Sequence, residues 1–407
     1  MPHVVAGIAT VDAITNPPDM FEKAGISSVI AEVTHVDTES KTIALSDGQS
    51  LPYDKIILGT GASPVVPQID GIDLEGVFTL RSSPDAEKIR DYMETRKPEK
   101  LIFIGAGFIN LELASLLSET RPDFYEITII ELLGHPLAVM LDSEMGRTVG
   151  DYLEEKGFHM MMDQRVTKIL GDQGRVSGVA LESGEKIPGE MVILSVGARP
   201  NLDLAKEMQL EISSFGVKVN QYLETSNPDV LAGGDCVEKI HFVTKKPAGS
   251  QLRGPAVIQG RLAAKRLAGY DIEFPGILNN SAVRLFEKYI AATGLTEQAA
   301  QKEGYDALGV TINSRSKHGM IPGVKPWTLK LVFDQKTQKL IGGQIISDSG
   351  SAVKEIDTVN ALILGEKTIP ELTTLICAGN PDCSSEPSLE PITIAAEQAL
   401  QKMKRLS

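Results

Sequence analysis

Cysteine is scarce in this sequence: its 407 residues hold three, Cys236, Cys377 and Cys383. They form no CxxC pair and share no Cys/His ligand spacing, so nothing in the sequence suggests a metal site. A count this sparse and odd fits a reducing compartment, and we expect the cytoplasm. Positive charge is short as well. Lys and Arg number 40 against 54 Asp and Glu, a net charge of -14. Such a surface repels phosphate backbones and anionic bilayers, which argues against nucleic-acid and membrane partners. Long apolar runs are missing. The most apolar stretch, residues 101–117, is interrupted by glycines, Asn110 and Glu112, and reads as a strand and a helix rather than a membrane span. The opening MPHVVAGIAT has neither the charged segment nor the apolar core of a secretory signal.

What is present is ordinary globular material, 42% hydrophobic and 23% charged, with 37 Gly and 22 Pro. This length predicts two or three domains. Early strand signals fall at Ser28–Val33, Thr42–Leu45 and Lys55–Leu58, with Asp47-Gly48 suited to a hairpin turn. From Lys100 the texture changes. LIFIGAG reads as a buried strand and glycine turn, FINLELASLLSE as a helix, and EITIIE as a second buried strand. Together they make a βαβ unit of about 30 residues, which implies a parallel sheet. A helix is expected over Ser143–Lys156, a buried strand at MVILSVGARPN, and a helix from about Pro255 to Leu267. After about Asn279 the strands TLKLVFD and KLIGGQIIS, then helices at Ser351–Leu364 and Ile392–Met403, predict a separate α+β C-terminal domain.

The loop Gly105-Ala106-Gly107-Phe108-Ile109-Asn110 sits between strand and helix, the context in which a glycine fingerprint binds a dinucleotide. Gly105 permits the tight turn. Gly107 lets the backbone approach a pyrophosphate, with Phe108 and Ile109 opening the helix beside it. Glu131 ends the second strand, where an acid bonds the ribose 2′-hydroxyl. Leu132 and Leu133 follow it, with no adjacent Arg for a 2′-phosphate, so NADH is expected rather than NADPH. Asn110 takes the third glycine position, and there we expect it to loosen helix–strand packing or shift the helix.

These motifs, with LGTGASPVVP (58–67), GVFTLRS (76–82), GAGFINLELA (105–114), SVGARPN (195–201), TSNPDVLAGGDC (225–236), GPAVIQGRLAA (254–264) and TGLTE (293–297), give the chain its resemblance. It resembles the pyridine nucleotide-disulfide oxidoreductase superfamily, in the branch of NADH oxidases and coenzyme A-disulfide reductases. The resemblance implies an α/β fold of two Rossmann-like domains, FAD- and NAD-type, followed by an α+β dimerisation domain. The corresponding boundaries are 1–96 and 216–279 for FAD, 97–215 for NAD and 280–407 for dimerisation. It implies that Thr60 and Gly61 lie along FAD, that Asp235 bonds its ribityl or phosphate region, and that Gly234 lets the backbone approach. Arg81 would sit at the domain junction, Gly197 beside the nicotinamide and Glu112 on the helix facing the flavin. Asp235 has a second reading, as a cap on the helix that follows. Cys236 reads as a small buried residue. The implied chemistry is hydride transfer from NADH to FAD and on to oxygen, a disulfide or polysulfide, or a protein acceptor, in a cytoplasmic homodimer.

Against the family pattern, no strand–GxGxxG–helix precedes residue 60, so the FAD-type domain is expected to be N-terminally truncated. Met1-Pro2-His3-Val4-Val5 matches a segment that follows the family's reactive cysteine, which would place that cysteine just ahead of residue 1. Apolar strands such as Ile56–Leu58 would then stand with an unpaired edge. A shortened record, a second polypeptide supplying the segment, and a non-catalytic NAD(H)-binding homologue are the three readings. Further on, the Tyr-Pro-Gly of coenzyme A-disulfide reductases has no tyrosine at Met320-Ile321-Pro322-Gly323, and Asn380-Pro381 stands where a catalytic His-Pro would be. Cys383 would approach the partner's flavin and is the candidate redox thiol. Its other reading is an inert loop cysteine.

Overall fold

The computed structural model describes residues 1–17 and 19–406. The chain divides into two compact units, one made of Met1–Ala6, Val66–Val196 and Leu278–Ser407, the other of Gly7–Val65 and Gly197–Ile277.

The first unit is built on a five-stranded parallel sheet in the order Val77–Thr79, Met191–Leu194, Lys100–Ile104, Glu126–Ile130, His159–Met161. Leu101, Ile102, Phe103, Ile127, Ile129, Ile130, Met191, Val192 and Ile193 are all buried. Both faces of the central strands are covered, which is why their sequences run continuously apolar instead of alternating. The crossover helix Phe108–Thr120 follows the Lys100–Ile104 strand, and Ser143–Glu155 forms the next helix. Val77–Thr79 joins this sheet, although the resemblance groups it with residues 1–96. A three-stranded antiparallel sheet, Val166–Asp172, Arg175–Leu181 and Lys186–Pro188, shares a core with Ile102, Ile104, Ile130 and Val192.

The same unit carries a five-stranded antiparallel sheet in the order Ser281–Leu285, Lys288–Gly294, Leu340–Ser347, Pro326–Asp334, Ala307–Arg315, with helices Glu355–Leu364 and Pro391–Leu406. Buried Lys330 joins it to the parallel-sheet portion. Its Nζ lies 3.0 Å from Asp142 and 2.8 Å from Glu297, and it also pairs with Glu144. Asp142 in turn accepts from the amides of Glu297 (3.0 Å) and Gln298 (3.1 Å) and from Gln344 Nε2 (2.6 Å). These three carboxylates are close enough to share a cation, and the lysine ammonium is that cation.

The second unit opens its sheet structure with Val33–Asp37, Thr42–Leu45 and Ser50–Pro52 in antiparallel order. Gly48 takes the left-handed turn position expected for Asp47-Gly48, with φ +85°. The first strand differs from the expected Ser28–Val33. Asp37 Oδ1 accepts from the amides of Glu39 and Ser40, both at 2.9 Å, and so fixes the hairpin turn there. Pairing Asp37 with Thr42 then places the strand over Val33–Asp37. Val29 and Ile30 are left exposed. Ile56–Leu58 pairs in parallel with Val230–Ala232 as a two-stranded sheet, and Ile57 is 41% exposed. Val36, Leu58, Val217, Val230, Ala232 and Cys236 form the core beside it. A helix covers Arg253–Leu267, starting two residues ahead of expectation. Among the described residues no helix is long and apolar enough to cross a membrane.

Candidate functional site

In the first unit the Lys100–Ile104 strand passes into its helix through Gly105, whose φ is +97°. A Cβ there would stand 2.4 Å from the Ser195 carbonyl oxygen, so both the conformation and the space require glycine. Gly107 is the helix N-cap and has open space where a side chain would be. The amides of the first helical turn have no partner within the helix and suit an anion. Glu131 follows the neighbouring strand and folds back onto this loop. Its Oε2 accepts from the Ala106 amide at 2.6 Å and its Oε1 from the Leu133 amide at 2.9 Å. The carboxylate is thereby fixed at the mouth of the glycine turn, with Leu132 and Leu133 exposed beside it.

Asn110 does not loosen this packing. It is fully buried, and its Nδ2 donates to the carbonyls of Ile104 (3.0 Å) and Gly105 (2.9 Å). The amide bridges strand and helix at the point where the usual glycine would let them touch. Glu112, two residues further along, lies 4.0 Å from His3 Nδ1. His3 belongs to the short helix Pro2–Val5, which buries Val4 and Val5. Arg81 precedes the helix Ser83–Arg96, and its amide donates to Asp85 at 3.1 Å, beside the Ser82–Asp85 capping box.

In the second unit Thr60 and Gly61 form a turn stapled by Asn201. Thr60 Oγ1 donates to the Asn201 carbonyl (2.8 Å), and Asn201 Nδ2 donates back to the Thr60 carbonyl (2.9 Å). Space is open at the positions a Cβ would take on Gly59 and Gly61. Gly197 has φ +118°, and its carbonyl accepts the Val65 amide at 2.9 Å.

The Gly233-Gly234-Asp235 turn follows the Val230–Ala232 strand. Asp235 lies inside a 3-10 turn, Gly234–Cys236, and the next α-helix starts only at Arg253, so Asp235 does not cap that helix. Gly234 has φ +85° and its peptide is gripped at both ends. Its amide donates to Oε1 of fully buried Gln259 at 2.9 Å. Its carbonyl accepts from Lys239 Nζ at 2.6 Å, and the same ammonium reaches the Val237 carbonyl at 3.0 Å. Burial pulls the Lys239 ammonium below its ordinary pKa, and the charge of Asp235 acts in the other direction. Cys236 is fully buried. An open cradle at Gly59 and Gly61, with a glycine turn ending in an acid on the neighbouring parallel strand, fits the phosphate and ribityl portions of a dinucleotide such as FAD.

Cys383 stands apart from these groups along the chain, exposed in the loop that precedes the Pro391–Leu406 helix. Its amide donates to the Asn380 carbonyl at 3.0 Å. Sequence reasoning passed over Gln259, Lys239 and Asn201. Gln259 and Asn201 fall within motifs already marked, so their positions were visible though their contacts were not. Lys239 carries no motif signal.

A protein-family model for pyridine nucleotide-disulphide oxidoreductases matches residues 5–251, and one for the dimerisation domain of the same proteins matches residues 281–388. An NADH oxidase of Methanocaldococcus jannaschii is 32% identical over 412 residues, covering 99% of this chain and 90% of that protein. An NAD(P)H coenzyme A polysulfide/persulfide reductase of Pyrococcus horikoshii is 34% identical, covering 89% of this chain and 81% of its own. Among solved structures, an NAD-dependent persulfide reductase from A. fulgidus superposes with a TM-score of 0.93 at 32% identity, across 100% of this chain and 76% of that one.

Proposed function

The chain belongs to the pyridine nucleotide-disulphide oxidoreductase family, and from that premise we propose that it oxidises NADH and passes the electrons to dioxygen or to a sulfur–sulfur bond. The class of reaction follows from the family: this is a FAD-dependent NAD(P)H oxidoreductase. FAD, when bound, supplies the ring that takes hydride from the nicotinamide and returns electrons to the acceptor. The choice of nucleotide rests on one observation. The Glu131 carboxylate is held at the glycine loop by the Ala106 amide at 2.6 Å. An acid there accepts from the ribose hydroxyls of NADH and repels a 2′-phosphate.

Gly105, Gly107, Phe108 and Ile109 then present backbone to the NADH pyrophosphate. Thr60, Gly61, Gly234 and Asp235 line the FAD cradle, and Lys239 and Gln259 hold the Gly234 peptide in place for it. Gly197 borders the nicotinamide. Arg81 and Glu112 are the further candidate residues for cofactor contact. Cys383 is the candidate thiol for the acceptor step. The two acceptor classes are those in the names of the relatives, NADH oxidase and polysulfide/persulfide reductase. The dimerisation domain supports a homodimer, and cysteine usage supports a cytoplasmic setting.

The test is anaerobic. Purified chain supplied with FAD is expected to show a flavin band that NADH bleaches, and that air or polysulfide restores. The faster of the two names the acceptor. A chain that binds NADH but takes up no FAD is instead an NAD(H)-binding subunit that needs a partner polypeptide.

A further inference from the structure

At the strand–helix turn that carries the NADH site, every main-chain polar group before Gly107 is already committed. The Gly105 amide donates to the Ile130 carbonyl at 2.8 Å, and the Ala106 carbonyl accepts the Leu137 amide at 2.9 Å. The Ala106 amide belongs to Glu131. The two remaining groups are the carbonyls of Ile104 and Gly105: both accept from one side-chain amide, Asn110 Nδ2, at 3.0 and 2.9 Å, and the Ile104 carbonyl accepts the Ser195 amide as well, at 3.0 Å. Asn110 is fully buried. Its Oδ1 is buried too, with no hydrogen-bond partner, so the side chain is oriented by what its Nδ2 donates and by nothing at its other end.

We propose that Asn110 is a positioning residue for NADH: by holding the Gly105 carbonyl inward, it sets the peptide plane that aims the Ala106 amide at Glu131, and so fixes the carboxylate that meets the ribose. The electrostatic reason is simple. Peptide planes are rigid, so fixing where a carbonyl points fixes where the next amide points. A carbonyl oxygen swung outward at this turn would meet the pyrophosphate with like partial charge, and an inward one removes that repulsion. The glycine of the usual fingerprint reaches the same end by letting helix and strand touch. Here an amide donor spans the gap instead, so restoring glycine would leave the Gly105 carbonyl without its donor and its peptide free to rock, while the Ile104 carbonyl keeps the Ser195 amide.

This inference rests on the NADH reading, and the two can fail separately. Equilibrium binding of NADH to the FAD-loaded protein, its flavin reduced beforehand under anaerobic conditions so that NADH can only bind, is measured by quenching of nucleotide fluorescence, for wild type and for Asn110→Gly, Asn110→Ser and Asn110→Leu. Asn110→Gly restores the fingerprint on paper, yet it is expected to bind NADH about tenfold more weakly, roughly 1.4 kcal/mol. Asn110→Leu, which keeps the volume and removes both donors, should match or exceed that loss. Asn110→Ser, which keeps one donor, should fall between. In steady state the loss is expected in KM for NADH with kcat at saturation preserved, since the turn acts on binding. A residue that merely packs would shift thermal stability and leave the dissociation constant alone. Asn110→Gly binding NADH as tightly as wild type overturns the proposal. A wild-type protein that does not bind NADH overturns the reading beneath it.

Discussion

Two glycine turns stand at the proposed nucleotide sites of this protein, and they are held in different ways. The Gly105 turn ends a central strand of a five-stranded sheet whose inner strands are buried on both faces. Its fixings are short: main-chain bonds to Ile130 and Leu137, and contacts from Glu131 and Asn110 a few ångströms away. The Gly234 turn ends one strand of a two-stranded sheet, with Ile57 half exposed on the partner strand. It relies on long side chains, Gln259 from the Arg253–Leu267 helix and Lys239 from the chain beyond the turn. A wide parallel sheet positions its loops through its own ladder, and a narrow one needs side chains to do so. The comparison predicts that the first unit fails globally, when its core network is broken, and that the second fails locally, at its cofactor turn.

Lys330→Met is expected to have the largest effect. It leaves Asp142, 1% exposed, as a buried carboxylate without its ammonium, at a cost of about 3–5 kcal/mol. Its pH dependence has a definite sign. Burial alone would raise the Asp142 pKa, but hydrogen bonds from Gln344, from the Glu297 and Gln298 amides and from Lys330 outweigh it and hold the carboxyl below its ordinary value. A lowered folded pKa stabilises above the unfolded value of about 4 and is lost as pH falls through the folded one. For Lys330, burial acts to lower the pKa, and its bonds to Glu144, Glu297 and Asp142 raise it overall. Its contribution is complete below about pH 10 and is lost only as pH rises through the higher folded value. Urea midpoints should therefore separate wild type from Lys330→Met most between pH 5 and 9, and the gap should narrow toward pH 3. An equal gap at pH 3 and pH 7 would mean that the network is decorative.

Lys239→Met is expected next, and in the other unit. Two carbonyls, of Gly234 and Val237, lose their donor, which costs about 2–3 kcal/mol. The readout is flavin content after gel filtration, where we expect depletion while the far-ultraviolet spectrum stays native. Loss of fold without selective loss of flavin would erase the distinction between the two units.

The legibility of the sequence follows the same division. The parallel sheet announced itself because strands buried on both faces are continuously apolar, as LIFIGAG and MVILSVGARPN are. The glycine turn and Glu131 could be placed because backbone geometry dictates those residue types. The antiparallel C-terminal sheet was visible in TLKLVFD and KLIGGQIIS. The first strand of the second unit was misplaced because apolar content drew it toward Ser28–Val33, whereas an Asp37-centred turn sets the register. Lys239 was invisible, since a buried lysine serving main-chain carbonyls looks in sequence like any surface lysine. Asn110 was seen as a defect because a fingerprint records which residue is usual and not which bonds another residue would make.

Glu131→Gln is the smallest of these effects and the sharpest test of the comparison. The glutamine side chain has one acceptor oxygen where the carboxylate has two, so it can serve the Ala106 amide or the Leu133 amide but not both. It also removes the charge that a ribose hydroxyl would meet. NADH binding is expected to weaken about tenfold, the scale of one charge-assisted hydrogen bond. Discrimination against NADPH should shrink, because the 2′-phosphate no longer faces an anion. The thermal midpoint should move by only about 1–2 °C, since the sheet beneath the loop keeps its ladder. If Glu131→Gln instead lowers stability as far as Lys239→Met does, the first turn depends on its side chains as much as the second. The width of the sheet would then not be what separates the two.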